Sequence, residues 1–276
     1  MNFILKKSRR YLYYFLKKVS MINGCSENSD GAILLNTFAK SGTHLLSLYL
    51  EQLEDKSNLG EFLVDYPSIT LRKVKESNVV DRIKMIRPNE ISLGHLFYSE
   101  ERTKLLSSRN VKTVFLYRDP RDVSISEAFY LRDMNKFHKM HKYFKNLANI
   151  DDAIMFSIMG NEYIETPYFY PNIVERFNKY KGWFDDSEVF SIKFEELRDP
   201  ELSKLKIIEL LEWLELDFTQ ESPEDLFYRL HGNIDSMQSH TLRSGKIQQW
   251  KLKYNQDHLD AFERVGGLDL LNDLGY

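Results

Sequence analysis

Residues 32–53 read AILLNTFAKSGTHLLSLYLEQL, and the two ends of this stretch obey different periodicities. Residues 32–37 form a short, nearly continuous apolar run behind a polar segment (21–31), the pattern of a buried strand. From Leu45 the apolar positions are Leu45, Leu46, Leu48, Tyr49, Leu50 and Leu53, which is helical spacing. Only Phe38-Ala39-Lys40-Ser41-Gly42 lies between the two, so the chain predicts strand, tight turn and helix in immediate succession. A helix start carries unpaired backbone N–H groups and the positive end of a dipole, and both suit an anion. Lys40 adds a full charge, Ser41 and Thr43 add hydroxyl donors, and Gly42 lets the backbone approach a ligand with no Cβ in the way.

Outward from this unit, residues 91–97 read as a second short strand and 111–117 (VKTVFLY) as a clearer one, dense in β-branched and aromatic residues. Arg118-Asp119-Pro120-Arg121 breaks that strand, and a helix follows over about 122–132. Residues 135–181 look mostly helical with aromatic interruptions at 163–170, and 188–194 is another strand. Leu202, Leu205, Ile208, Leu211 and Leu214 repeat at helical spacing, and the tail beyond Asp257 is helical with a break at Gly266-Gly267. Strands alternating with helices predict an α/β fold, a central, mainly parallel sheet with helices on both faces. Ligands of such sheets sit at the carboxyl ends of the strands.

The 276 residues are 42% hydrophobic and 29% charged, the composition of an ordinary globular enzyme. A net charge of −3 gives no global pull toward nucleic acid, so an anionic ligand must be held by local basic residues. Cys25 is the only cysteine, which excludes an internal disulfide, fits a reducing compartment, and makes a cytoplasmic setting the expectation. Residues 1–20 mix Lys6, Lys7, Arg9, Arg10, Lys17 and Lys18 with aromatic and aliphatic residues. Their longest uncharged run is far short of the roughly 20 residues of a spanning helix. Two readings stay open for this basic amphipathic helix: packing on the domain, or peripheral contact with an anionic membrane. Residues 1–30 are therefore expected to be helix and linker, and 31–276 a single domain.

The turn at 36–44 is not the G-x-x-x-x-G-K-[ST] nucleoside-triphosphate loop, because its Gly follows the Lys-Ser pair and no glycines lead. A second strand–helix junction, 117–126, offers Arg118, whose planar fork grips phosphate, and Ser126 two turns into the helix. A third segment, 242–251, is basic and contains Gly245 ahead of Trp250. Taken in order, these three segments resemble the nucleotide-dependent sulfotransferase family, notably its cytosolic type with small-molecule acceptors. In that family a PKSGT-type loop holds the 5′-phosphosulfate, and an R-x-P-R-D-x-x-x-S-type segment with a late R-K-G loop holds the 3′-phosphate.

The resemblance implies 3′-phosphoadenosine 5′-phosphosulfate as donor, adenosine 3′,5′-bisphosphate as product, and no metal. It implies Lys40, Ser41, Gly42 and Thr43 at the phosphosulfate, with His44 a wall of the nucleotide site. It implies Arg118, Ser126, Arg243, Ser244 and Gly245 at the 3′-phosphate, and Phe194 where the family often has a Tyr near the adenosine. His95, in Leu93-Gly94-His95-Leu96, stands in the setting of the family's catalytic histidine. A neutral imidazole there takes the acceptor's proton while Lys40 neutralises charge growing on the leaving oxygen.

The chain departs from the pattern. Leu45 replaces an adenine-stacking Trp, Leu93 a Lys, and Ser244 the Lys of the R-K-G loop, and the family's dimerisation motif is poorly matched, which leaves the oligomeric state open. The acceptor wall is expected from 59–67, 127–135 and 163–170, with Phe129, Tyr130, Tyr163, Tyr168, Phe169 and Tyr170 facing a flat or apolar molecule. Asp65, Glu127 and Asp133 are candidates to face a cationic one. Carbohydrate-directed members of the wider family use a glutamate base, and no glutamate here is as well placed as His95. A carbohydrate or polysaccharide sulfotransferase is the alternative within the family, and a nucleotide-dependent small-molecule kinase and a non-catalytic nucleotide-binding module are the competing classes.

Overall fold

The computed structural model describes residues 31–234 and 245–276, so the expected N-terminal helix, Arg243 and Ser244 lie outside the described residues. Five strands form one sheet: β1 (Ile33–Thr37), β2 (Phe62–Val64), β3 (Ile91–His95), β4 (Lys112–Tyr117) and β5 (Val189–Lys193). Their order is β2-β3-β1-β4-β5, and every pairing is parallel. The main helices are α1 (Thr43–Leu50), α2 (Glu76–Lys84), α3 (Glu100–Ser108), α4 (Pro120–Phe129), α5 (Ile150–Met159), α6 (Pro200–Trp213) and α7 (Pro223–Ile234).

Alternation along the strands feeds two cores. Leu34 of β1 joins Phe115 and Tyr117 of β4 on one face, while Ile33 and Leu35 join Val114 and Leu116 on the other. The first face is covered by α2 to α5 through residues such as Val79, Ile83, Leu106, Val123 and Ile154. The second is covered by α1, α6 and α7 through Leu46, Leu50, Ile207, Leu210 and Leu230. A strand buried on both sides reads as an unbroken apolar run, which is why β1 is legible in sequence.

Three details differ from the expectation. β2 was not anticipated, because three residues are too few to display a period. The stretch 135–181 divides into several short helices, after a π turn at Tyr130–Met134 that extends α4. On α6 the buried apolar positions are Ile207, Leu210 and Leu211, followed by Leu214 at its C-cap, whereas Leu202 and Leu205 are exposed. A strict spacing of three precesses around a helix of 3.6 residues per turn, so only part of the predicted stripe faces the core.

The sheet brings the carboxyl ends of β1, β3 and β4 side by side. Asn36 pairs in register with Gly94 and with Phe115, so Thr37 emerges next to His95 and beside the strand that ends at Tyr117. Asn36 is fully buried and clamps the end of β3: its Nδ2 donates to the Leu96 carbonyl at 2.9 Å, and its Oδ1 accepts from the Leu96 N–H at 2.7 Å.

Candidate active site

The turn between β1 and α1 is held in an uncommon backbone state. Lys40 has φ 70° and Gly42 φ 98°, both in the left-handed region, which glycine adopts freely and lysine does not. Gly42 is also required by packing, since a Cβ there would lie 2.4 Å from Cδ2 of Phe194. Ser41 is fully buried and its Oγ has no hydrogen-bond partner. A buried hydroxyl left unmatched costs on the order of 1–3 kcal/mol, and an anion in the loop removes that penalty. The Lys40 ammonium sits 3.7 Å from the centroid of the Tyr130 ring, and His44 is exposed on the first turn of α1.

His95 ends β3, and its half-buried ring is fastened by one nitrogen. Nδ1 lies 2.8 Å from the Thr37 carbonyl and 3.0 Å from Thr37 Oγ1, while Thr37 Oγ1 lies 2.7 Å from Thr43 Oγ1. A carbonyl only accepts, so Nδ1 carries the proton and Nε2 carries the lone pair. Phe62 of β2 packs edge-on against the ring at 4.9 Å. Burial, with Lys40 and His44 nearby, pulls the His95 pKa down to about 4, so the imidazole is neutral near pH 7.

Arg118, just past β4, is buried and shared among three segments. Its Nη2 donates to Asp122 Oδ2 at 3.0 Å and to the Lys246 carbonyl at 2.7 Å. Its Nε is buried with no hydrogen-bond partner, 4.0 Å from Glu195 Oε1, and its guanidinium lies 4.5 Å from the centroid of the Phe194 ring. Phe194 therefore touches both Gly42 and Arg118 and joins the two candidate anion-binding segments. The Lys246 carbonyl brings the third segment in, next to Gly245, which is buried with φ 58°. Ser126 is half-buried two turns into α4 and makes no hydrogen bond to Arg118.

Some carboxylates do other work than their positions suggest. Arg121 pairs with Asp119 at 2.7 Å instead of with Asp122, and Asp119 caps α4 by accepting from the Arg121 N–H. Asp122, fully buried, serves Arg118 and the Trp250 N–H. Asp65 does not face an acceptor; it is bound by Arg102 and the Phe97 N–H. Glu127 is likewise consumed, accepting from Arg176, Ser157 and Tyr170. Although burial pushes its pKa up, Arg176 and the two hydroxyls together hold the carboxyl below its ordinary value. Asp133 is exposed and 3.8 Å from Lys145. Of the expected aromatic wall, Tyr170 is buried in this network, whereas Tyr163 and Phe169 are exposed. Tyr168, Phe169 and Tyr170 line a cavity of about 420 Å³ together with Asn161, Pro171 and Glu175.

Sequence reasoning missed Thr37 and Glu195, and expected Tyr130 only in the acceptor wall, not against Lys40. Thr37 carried a local signal, being the last strand residue before the loop, but its link to His95 requires the β1–β3 register. No local signal placed Tyr130 against Lys40 or Glu195 near Arg118.

A parallel α/β sheet with a lysine- and serine-bearing loop, a buried arginine and a histidine gathered at one end is an arrangement suited to holding an anion. The sequence matches the sulfotransferase domain over residues 30–267, and the chain belongs to that family. It is a sulfotransferase and transfers sulfuryl groups, which sets aside the kinase reading. Among solved structures it is similar to mouse sulfotransferase SULT7A1 complexed with PAP, at 15% identity over 87% of this chain and 85% of that one, with a TM-score of 0.59. It is also similar to retinol dehydratase in a complex with retinol and PAP, at 15% identity over 90% and 83% of the two chains, TM-score 0.52. A further structure, retinol dehydratase with androsterone and inactive cofactor PAP, shows 14% identity over 87% and 80%, TM-score 0.51. At such identities the likeness is one of fold. No curated protein matches the sequence. Among the described residues, no helix is long and apolar enough to cross a membrane.

Proposed function

We propose that this sulfotransferase takes its sulfuryl group from 3′-phosphoadenosine 5′-phosphosulfate and delivers it to a hydroxyl or amine of a small-molecule acceptor, within a single domain of residues 31–276. The observation that carries the reading is the meeting of His95 and the Lys40 loop at Thr37. Thr37 fixes the Nδ1–H tautomer, which leaves Nε2 able to accept the acceptor's proton as its oxygen or nitrogen attacks. Lys40 offsets negative charge on the leaving oxygen, in the manner of cations in phosphoryl transfer.

The donor, when bound, supplies a sulfuryl group activated by a phosphate leaving group. Lys40, Ser41, Gly42 and Thr43, with His44 as a wall, are assigned to its phosphosulfate end. The orphaned Ser41 hydroxyl and the glycine cradle support that assignment. Arg118, Ser126 and Gly245, with Arg243 and Ser244, are assigned to the 3′-phosphate, supported by the unmatched Arg118 Nε. Phe194 is assigned to the adenosine side. That SULT7A1 and retinol dehydratase hold PAP supports the donor, and retinol and androsterone in the latter support an acceptor of small-molecule size.

Thermal unfolding with adenosine 3′,5′-bisphosphate, against ATP with magnesium, tests the donor. Ligand at 100 times its dissociation constant adds roughly 2.7 kcal/mol of stability. A screen of phenols, alkaloids, sugars and amines with labelled donor then finds the acceptor. No shift in melting temperature at millimolar bisphosphate overturns the donor assignment.

A further inference from the structure

Two loops flank the end of the sheet that carries Lys40 and His95, and both are basic and free of acids. Residues 66–75 read YPSITLRKVK and residues 134–147 read MNKFHKMHKYFKNL, with no Asp or Glu in either. The rest of the chain must therefore be more acidic than its net charge of −3. Of the acids at their borders, Glu76 is paired with Arg102 at 2.5 Å, while Asp133 is exposed 3.8 Å from Lys145 and offsets one of the second loop's four lysines.

The loops are joined and anchored at the site. The Lys139 N–H donates to the Ser68 carbonyl at 2.9 Å. The first loop leaves β2, whose Val64 is the register partner of His95, and its neck is closed by the Val74 N–H donating to the Asp65 carbonyl at 2.8 Å. The second leaves the turn bearing Tyr130, the ring beneath Lys40, where Asn135 Nδ2 donates to the Tyr130 hydroxyl at 2.9 Å. Where the loops meet, apolar side chains face solvent: Phe137 is 81% exposed, Ile69 65% and Met134 40%. Phe169, also exposed, stacks on Tyr66 at 4.8 Å and continues the apolar strip. Lys73, Lys136, Lys139 and Lys142 are exposed around it.

Protruding Phe and Ile tips among lysines match a lipid–water interface, where the apolar tips enter the acyl boundary and the cations meet anionic headgroups. A polyanionic carbohydrate satisfies the lysines but leaves Phe137 and Ile69 in water. We propose that this rim docks on an anionic bilayer surface, with the mouth of the site turned to the membrane. The acceptor is then a molecule that partitions to that interface. The docking stands on the surface alone; only the acceptor's route rests on the function proposed above.

Co-sedimentation of the full chain with phosphatidylcholine vesicles, with and without phosphatidylserine, tests it. Binding is expected only with phosphatidylserine. Ile69→Ser with Phe137→Ser should abolish most of it, and each of Lys136→Ala and Lys139→Ala should weaken it about fivefold. All variants should keep the melting shift with adenosine 3′,5′-bisphosphate. Absence of vesicle binding overturns the proposal. So does binding undiminished in the rim variants, which assigns it to residues 1–20, and so does binding to soluble heparin with none to vesicles. A wild-type chain that binds vesicles but shows no bisphosphate shift refutes the donor assignment and leaves the docking surface standing.

Discussion

His95→Asn separates the two ring nitrogens. Asn Nδ2 can occupy the place of Nδ1 and keep the bond to the Thr37 carbonyl, 2.8 Å in the wild type, while Nε2 is deleted. With the base gone and its anchor kept, turnover should fall roughly 10²–10⁴-fold, a barrier increase of about 3–5 kcal/mol, with bisphosphate affinity nearly unchanged. Acid stability should change as well. The His95 pKa is about 4 in the folded chain, against about 6.5 when unfolded. Between those pH values the unfolded chain takes up a proton that the folded chain refuses. This group's contribution is therefore full above pH 6.5 and lost as pH falls toward 4. At about 1.4 kcal/mol per pKa unit the loss amounts to roughly 3 kcal/mol, and the asparagine variant should be spared it. Single-turnover rates with labelled donor, and urea unfolding at about pH 7 and about pH 4.5, read the two effects. Near wild-type turnover would place the base elsewhere, and an identical acid slope would refute the argument from burial. His138, whose pKa burial also lowers to about 4, is common to both proteins and cancels in the comparison.

Arg118→Ala should cost adenosine 3′,5′-bisphosphate about 1.5–3 kcal/mol of affinity by calorimetry, and much less for a nucleotide lacking the 3′-phosphate. Because it strands the fully buried Asp122, it should also lower stability by about 3–5 kcal/mol; equal affinity losses for both nucleotides would remove Arg118 from the 3′-phosphate. Gly42→Ala sets a Cβ 2.4 Å from Phe194 at φ 98°, so about 1–3 kcal/mol of stability should be lost along with protection by the bisphosphate. An unchanged melting curve would mean that Phe194 yields without cost.

The class of fold was legible because its signals are local. The apolar run of β1, the turn and the helical spacing of α1 lie within 22 consecutive residues (32–53), and β4 and β5 announced themselves by composition. The candidate anion-binding residues were found the same way, as short spacings at strand–helix junctions. What failed was reasoning across distance. β2 was too short to show a period, and the face that α6 buries depended on what packs against it.

The sequence by itself determined a parallel α/β sulfotransferase chain with Lys40, Ser41, Arg118 and His95 as the residues to watch. Only the tertiary structure decided their partners. Strand register put Thr37 against His95 and thereby chose which nitrogen bears the proton. The strand-to-helix turn gave Asp122, on the first turn of α4, to Arg118 at the end of β4 instead of to its neighbour Arg121. Packing withdrew Asp65 and Glu127 into buried pairs with Arg102 and Arg176. Periodicity is written between neighbours in the chain and survives in any one-dimensional reading. A hydrogen bond across 58 residues, from Thr37 to His95, exists only once the sheet has closed and the desolvated groups must find one another.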